Sequence, residues 1–211
     1  MEGDIYHVLN RGIEKSTIFF EPNDYKRFIL SLYKFNNKGH ALRLNNNILF
    51  NNLPKQDKIV EILGWSLMPN HYHLLLREKI EGGAIDFIKR IGNGFTKYFN
   101  IKNNRSGYLF QNSAKIINVK KNRHFLYLPF YIDANPIDLI ELGWEEKGVK
   151  DKKKVLNFLE KYQWSSYQDH IGISNRTQII NTKLFYEIFD TNQKQYRKDF
   201  QEWIGHVNLP R

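Results

Sequence analysis

The chain has 211 residues, 41% of them hydrophobic, and sets 32 Lys plus Arg against 22 Asp plus Glu, a net charge of +10. With 15 Phe, 12 Tyr and 4 Trp it is too apolar for a disordered basic tail, and its length suits one domain with an appendage or two small ones. The absence of Cys excludes disulfide scaffolds, thiolate zinc sites, iron–sulfur ligation and cysteine nucleophiles, leaving His, carboxylates and amides for any metal. No apolar run approaches the roughly 20 residues that cross a bilayer. Met1 to Asn10 has neither a basic nor an apolar leader pattern, which reads as a cytoplasmic protein with no membrane partner. The positive charge points to a polyanionic partner, although basic surfaces also bind acidic lipids or keep a protein soluble.

Ile5 to Gly12 alternates and ends on Gly, as a strand entering a turn does. Pro22 and Asp24 suit a helix start, and Tyr25, Phe28, Ile29, Leu32 and Phe35 recur at helical spacing. The Asn-rich stretch from Asn36 to Gln56 reads as a loop or small hairpin. Ile59 to Met68 and His71 to Arg77 read as strands joined by a tight turn at Pro69-Asn70, a central antiparallel hairpin. After Gly82-Gly83, Ile85, Ile88, Ile91, Phe95 and Phe99 mark the inner face of a second helix, weakened by Gly92 and Gly94. Arg105 to Gln111 is a basic, aromatic connection, Ala114 to Val119 a short strand, and about Asn122 to Asn135 a third helix. This is the strand-helix-strand-strand-helix-strand order of an α+β, ferredoxin-like α/β sandwich, an antiparallel sheet with helices on one face. Beyond Trp144 a Lys-rich run leads into helical stretches around Val155–Tyr162, Thr182–Phe189 and Lys194–Ile204. The expected division is a catalytic domain over 1–145 and a helical C-terminal extension over 146–211.

Within Met68-Pro69-Asn70-His71-Tyr72-His73-Leu74-Leu75, the two-residue period of a strand places His71 and His73 on one face and Tyr72 on the other. Read alone, the pair is either half of a divalent-metal site or two partly exposed hairpin histidines. Tyr127, Tyr131 and Asn135, four apart, share one helix face, where a phenol meets an amide or where the rings simply pack. Pro129 implies a kink or a later helix start.

These segments stand beside Tyr6-His7-Val8-Leu9-Asn10-Arg11-Gly12, Gly107-Tyr108-Leu109-Phe110-Gln111, Tyr131-Ile132-Asp133-Ala134-Asn135-Pro136 and Trp164-Ser165-Ser166-Tyr167 as one set, spanning most of the first 140 residues with one member in the extension. The set resembles the single-tyrosine transposases of the His-hydrophobe-His superfamily, particularly the REP-associated tyrosine transposases. The resemblance implies a metal-dependent DNA strand transferase in which His71, His73 and Asn135 hold Mg²⁺ or Mn²⁺. It implies that Tyr131 attacks the scissile phosphate, leaving a 5′-phosphotyrosyl enzyme and a free 3′-hydroxyl, with Tyr127 as the rival nucleophile. The implied substrate is single-stranded DNA bearing hairpins. Family members include both helix-exchanging dimers and monomers, so a homodimer is one of two states the resemblance allows.

A phenol with a reference pKa near 10 needs a nearby cation to supply phenolate and to offset charge on the phosphoryl oxygens. Storing the cleaved bond as a tyrosyl ester lets a second hydroxyl reverse the attack without a nucleotide cofactor, in keeping with the lack of a Walker-type loop. Arg11, Lys89, Arg90, Lys97, Arg105, Lys115, Lys120 and Lys121 are candidates to neutralise phosphates. Tyr98, Tyr108 and Phe110 are candidates to stack bases, and Gln111 to contact a base edge or phosphate. The rival functions are a non-catalytic nucleic-acid-binding relative and, less favoured, a metal-dependent phosphodiesterase that uses water.

Overall fold

The computed structural model describes residues 3–39, 54, 56–120, 123–174 and 176–205. Most of the Asn-rich stretch, and Lys121, lie outside them. The elements in chain order are β1 (Ile5–Arg11), α1 (Pro22–Lys34), β2 (Val60–Met68), β3 (His71–Glu78), α2 (Gly83–Lys102), β4 (Lys115–Asn118) and α3 (Arg123–Ala134). Then follow α4 (Trp144–Lys147), α5 (Lys152–Lys161), α6 (Tyr167–His170), α7 (Thr182–Phe189) and α8 (Gln193–Ile204). The architecture is α+β, around a four-stranded sheet in the order β2-β3-β1-β4 with every neighbouring pair antiparallel.

Each early element forms where its local chemistry directs. Pro22 starts α1, and the buried Asp24 carboxylate accepts from the Phe20 and Glu21 backbone N–H groups, satisfying donors at the helix entrance. Tyr98 and Lys102 of α2 also donate to Asp24. Pro69-Asn70 turns β2 directly into β3.

The β2-β3 hairpin at the centre of the fold is buried on both sides, whereas the edge strand β4 is largely exposed. Tyr72, Leu74 and Leu76 of β3 join Val8, Trp65 and Leu67 beneath α1 and α2. Leu75, with Ile5 and Leu63, faces the other way, onto Leu128 and Ile132 of α3 and onto Phe185 and Phe200 of the C-terminal helices. The expectation of helices on one face is therefore corrected: they cover both. The physical reason lies in the strands, since Trp65-Ser66-Leu67-Met68 and Tyr72 through Leu76 are buried without a break, and a strand apolar on both sides needs two covering layers.

The C-terminal segment also closes the β2 edge. Trp164 O accepts from Leu67 N and Ser166 N donates to Trp65 O, so 164–166 runs beside the strand, while Asn181 N donates to Ile62 O further along. An exposed edge strand is thereby capped.

On α2, Ile85 is half exposed instead of inward, and Ala84 and Phe87 take the core positions beside Ile88, Ile91 and Phe95. The two helix glycines differ. A Cβ at Gly94 would collide with the Phe35 ring, so Gly94 permits the approach of α1 and α2, whereas a Cβ at Gly92 would meet nothing within 4 Å. Gly94→Ala is accordingly expected to cost about 1–3 kcal/mol through displacement of Phe35, outweighing Ala's helix preference. Urea unfolding measures it, and a neutral or stabilising result would refute the steric account.

Candidate active site

Strand alternation places His71 and His73 on the face covered by α3, and the register sets Arg11 opposite His71 and Leu9 opposite His73. One histidine more joins them. His7, on the same face of β1, shares a 2.9 Å hydrogen bond between its Nε2 and His73 Nδ1. His71 Nδ1 donates to Asn70 Oδ1 at 2.6 Å, because an amide oxygen only accepts. In a neutral ring that leaves His71 Nε2 with its lone pair.

From the other side α3 brings the phenol. The helix runs unbroken through Pro129 to Ala134, so neither a later start nor a break withdraws Tyr131. The Tyr131 ring stands edge-on to His73 at 5.8 Å and to His7 at 6.2 Å between ring centroids. Asn135 opens the 3₁₀ turn that ends the helix, is 5% exposed, and spends its Nδ2 on the Tyr131 carbonyl at 2.9 Å, leaving Oδ1 for another partner. Tyr127, one turn earlier, is exposed and borders a separate cleft with Phe189 and Trp203. The geometry thus gathers Tyr131, and not Tyr127, with the histidines.

Burial pushes the His71 imidazole down to about 4, with the Arg11 charge adding and the Asn135 side chain opposing. Burial likewise holds His73 well below the usual histidine range, reinforced by His7, His71 and Arg11. Both rings are neutral at physiological pH, the form that binds metals. For Tyr131, burial raises the phenol, Glu145 and Asp138 add to the rise, and Asn135 and Arg11 oppose it. The resting tyrosine is a phenol, not a phenolate.

Among the described residues no group of three or more His, Asp or Glu side chains is placed to hold a metal ion. The donor chemistry of His71, His73 and Asn135 nevertheless fits a divalent cation. It consists of two neutral imidazoles, each with Nδ1 engaged by a partner as metal-bound histidines usually are, and one amide oxygen not spent on the helix.

No family model matches this chain, and no curated protein matches it. One similar solved structure is a REP-associated tyrosine transposase bound to a REP hairpin. It is 12% identical, with a TM-score of 0.45, over 86% of this chain and 87% of that one. A likeness at that level bears on neither the site nor its activity.

The remaining expected DNA contacts scatter. Arg11 is exposed beside His71. Lys89 and Gln111 line a cleft on the opposite face of the sheet. Arg90 is occupied by Asp86 at 2.6 Å and by the Asn37 and Gly39 carbonyls, a structural tie across to the loop after α1. Lys97 lies with Arg27 along the groove between α1 and α2. Arg105 donates to the Tyr108 carbonyl and covers the Phe99 ring, which fixes the connection to β4. The two-residue period of β1 is the sequence signal that puts His7 on this face, and only the register of β1 with β3 places it against His73.

Proposed function

We propose that the protein is a metal-dependent single-stranded DNA nicking and strand-transfer enzyme, with Tyr131 as the nucleophile on a ferredoxin-like domain. The observation that carries this reading is the placement of Tyr131 edge-on to His73, with His71, His7 and Asn135 alongside. The strand order and the two helical connections, α1 between β1 and β2 and α2 between β3 and β4, support the ferredoxin-like description. Residues 1–145 would be the catalytic part, and 146–211 an extension that completes the second face.

In this reading Asn135 and the neutral rings of His71 and His73 would hold Mg²⁺ or Mn²⁺, which when bound supplies Lewis-acid stabilisation of charge on the phosphoryl oxygens. The chain's own groups do the rest. His7 orients the His73 ring through Nδ1, and Asn70 fixes the His71 tautomer. Arg11 brings positive charge to the mouth of the site, where a phosphodiester would enter. The Tyr131 oxygen forms the new bond to phosphorus as the strand's 3′-oxygen leaves, the phenolic proton being lost and the 3′-hydroxyl gaining one. A later attack by a 3′-hydroxyl on the tyrosyl ester reverses the exchange, so bond energy is conserved.

The test is incubation of single-stranded hairpin DNA labelled at its 3′ end, the side of the nick that stays on the tyrosine, with the protein and Mg²⁺ or Mn²⁺, followed by a denaturing protein gel. A shifted, metal-dependent covalent band is expected; nicking without a band would favour water as nucleophile, and binding with neither would favour a non-catalytic binding protein. His7→Leu, which removes the partner of His73 Nδ1, is expected to lower the rate of band formation about 10–100-fold while leaving the fold intact. A rate unchanged within twofold would remove His7 from the site.

A further inference from the structure

We propose that the cleft between α2 and the 105–114 connection, on the sheet face opposite the histidines, receives an unpaired base of single-stranded DNA. The inference rests on the nucleic-acid reading above and adds a site to it. The cleft encloses about 810 Å³, within the size of small-molecule pockets.

Its floor and walls carry the argument. Tyr72, fully buried, reaches the floor, and its hydroxyl makes no hydrogen bond of normal length although the Asn10 side chain lies beside it. Gly92 forms part of one wall in the middle of α2, where glycine is a poor helix residue. Gly94 is explained by Phe35, but nothing approaches Gly92, so the missing side chain opens the cleft and eases no packing. At the rim Tyr108 is 84% exposed, an aromatic face available for stacking. Gln111 supplies both an amide donor and an acceptor, the pair that matches a base edge.

The lining holds one cation, Lys89, among its residues. That is too little charge for a free nucleoside di- or triphosphate, whereas a strand continuing past the cleft finds its phosphate contacts elsewhere on a chain of net charge +10. Tyr72 lies between His71 and His73 in sequence but projects to the other face. Base capture and phosphate chemistry are thus separated by the thickness of the sheet.

The experiment measures fluorescence anisotropy of a short labelled single-stranded DNA of mixed sequence, and of its abasic counterpart, with wild type, Gly92→Leu and Tyr108→Ala. Leucine at 92 is a good helix former in open space, so the variant should melt no lower than wild type. The expected result is binding of the base-containing strand weakened tenfold or more in both variants, with the abasic strand bound equally weakly by all three proteins. Equal affinity of wild type and Gly92→Leu for the base-containing strand would overturn the cleft. Competition by a deoxynucleoside monophosphate as effective as the strand itself would overturn its assignment to a strand. Wild type that binds no single strand overturns both this site and the function on which it rests. Cleft-dependent binding without a covalent band in Mg²⁺ or Mn²⁺ supports the cleft while overturning the strand-transfer reading.

Discussion

Tyr131→Phe is expected to abolish the covalent protein–DNA band, with nicking reduced about 10³-fold or more, while Tyr127→Phe stays within twofold of wild type. The substitution removes one oxygen and keeps the ring that packs edge-on against His73 and His7. The hydroxyl is only part of a half-buried side chain, so its loss should cost about 1 kcal/mol or less in stability. Binding of single-stranded DNA should therefore persist. That split is the diagnostic part: a nucleophile's removal eliminates chemistry and spares affinity, whereas a structural tyrosine's removal weakens both or neither. Gel analysis of the band, anisotropy for binding and a thermal melt together decide it. A persistent band in Tyr131→Phe that disappears in Tyr127→Phe would move the nucleophile one turn up the helix. Unchanged nicking by Tyr131→Phe would end the tyrosine mechanism altogether.

The parts legible in the sequence were those fixed by local rules. Pro69-Asn70 between two apolar runs set the hairpin, and the period of β3 then put His71 and His73 on one face. Pro22 marked the first residue of α1, and the apolar pattern of Thr182–Phe189 gave the bounds of α7. What was not legible depended on packing between distant segments. His7 meets His73 across 66 positions, and only the pairing of β1 with β3 brings them together. Arg90 looked like a DNA contact on an exposed helix face, yet a carboxylate one turn away and two carbonyls of the loop after α1 engage it. Two-sided burial of the hairpin had a sequence signal, the unbroken apolar run Leu74-Leu75-Leu76 after His73, but which helices supply the second cover follows only from the fold.

The role of the C-terminal segment in the site follows from a buried cluster that no local pattern announces. Asp133, two residues beyond Tyr131 on α3, is fully buried. Its Oδ1 accepts from Ser166 Oγ at 2.8 Å, and its Oδ2 accepts from Tyr196 Oη and from His170 Nδ1, each at 2.7 Å. His170 Nε2 donates to the Leu63 carbonyl at 2.8 Å. A backbone carbonyl and a carboxylate can only accept, so the form of the ring that satisfies both is the doubly protonated one, an imidazolium facing a carboxylate. Burial alone would push the His170 imidazole down, but the charge and hydrogen bond of Asp133, helped by the Leu63 carbonyl, hold it above the usual histidine value of 6.5. The cluster thus fastens the helix that bears Tyr131 to β2, through Leu63, and to α8, through Tyr196.

Asp133→Ala strips the partner from a buried imidazolium and from two buried hydroxyls, and is expected to destabilise the protein by about 3–5 kcal/mol, measured by urea unfolding. A loss below about 1 kcal/mol would mean that the cluster is not a fastening. The pH dependence has a definite sign. A group whose folded pKa lies above its unfolded one stabilises fully below the unfolded value and loses that contribution as pH rises through the folded value. The melting temperature should therefore decline as pH rises from about 6.5 through the raised value of His170. In His170→Gln that part of the decline should vanish, from a lower starting stability. A wild-type melting temperature that is flat or rising over this interval, matched by the variant, would show that the ring is neutral in the folded state. Asp133 would then bind α3 to the C-terminal helices through its hydroxyl partners alone.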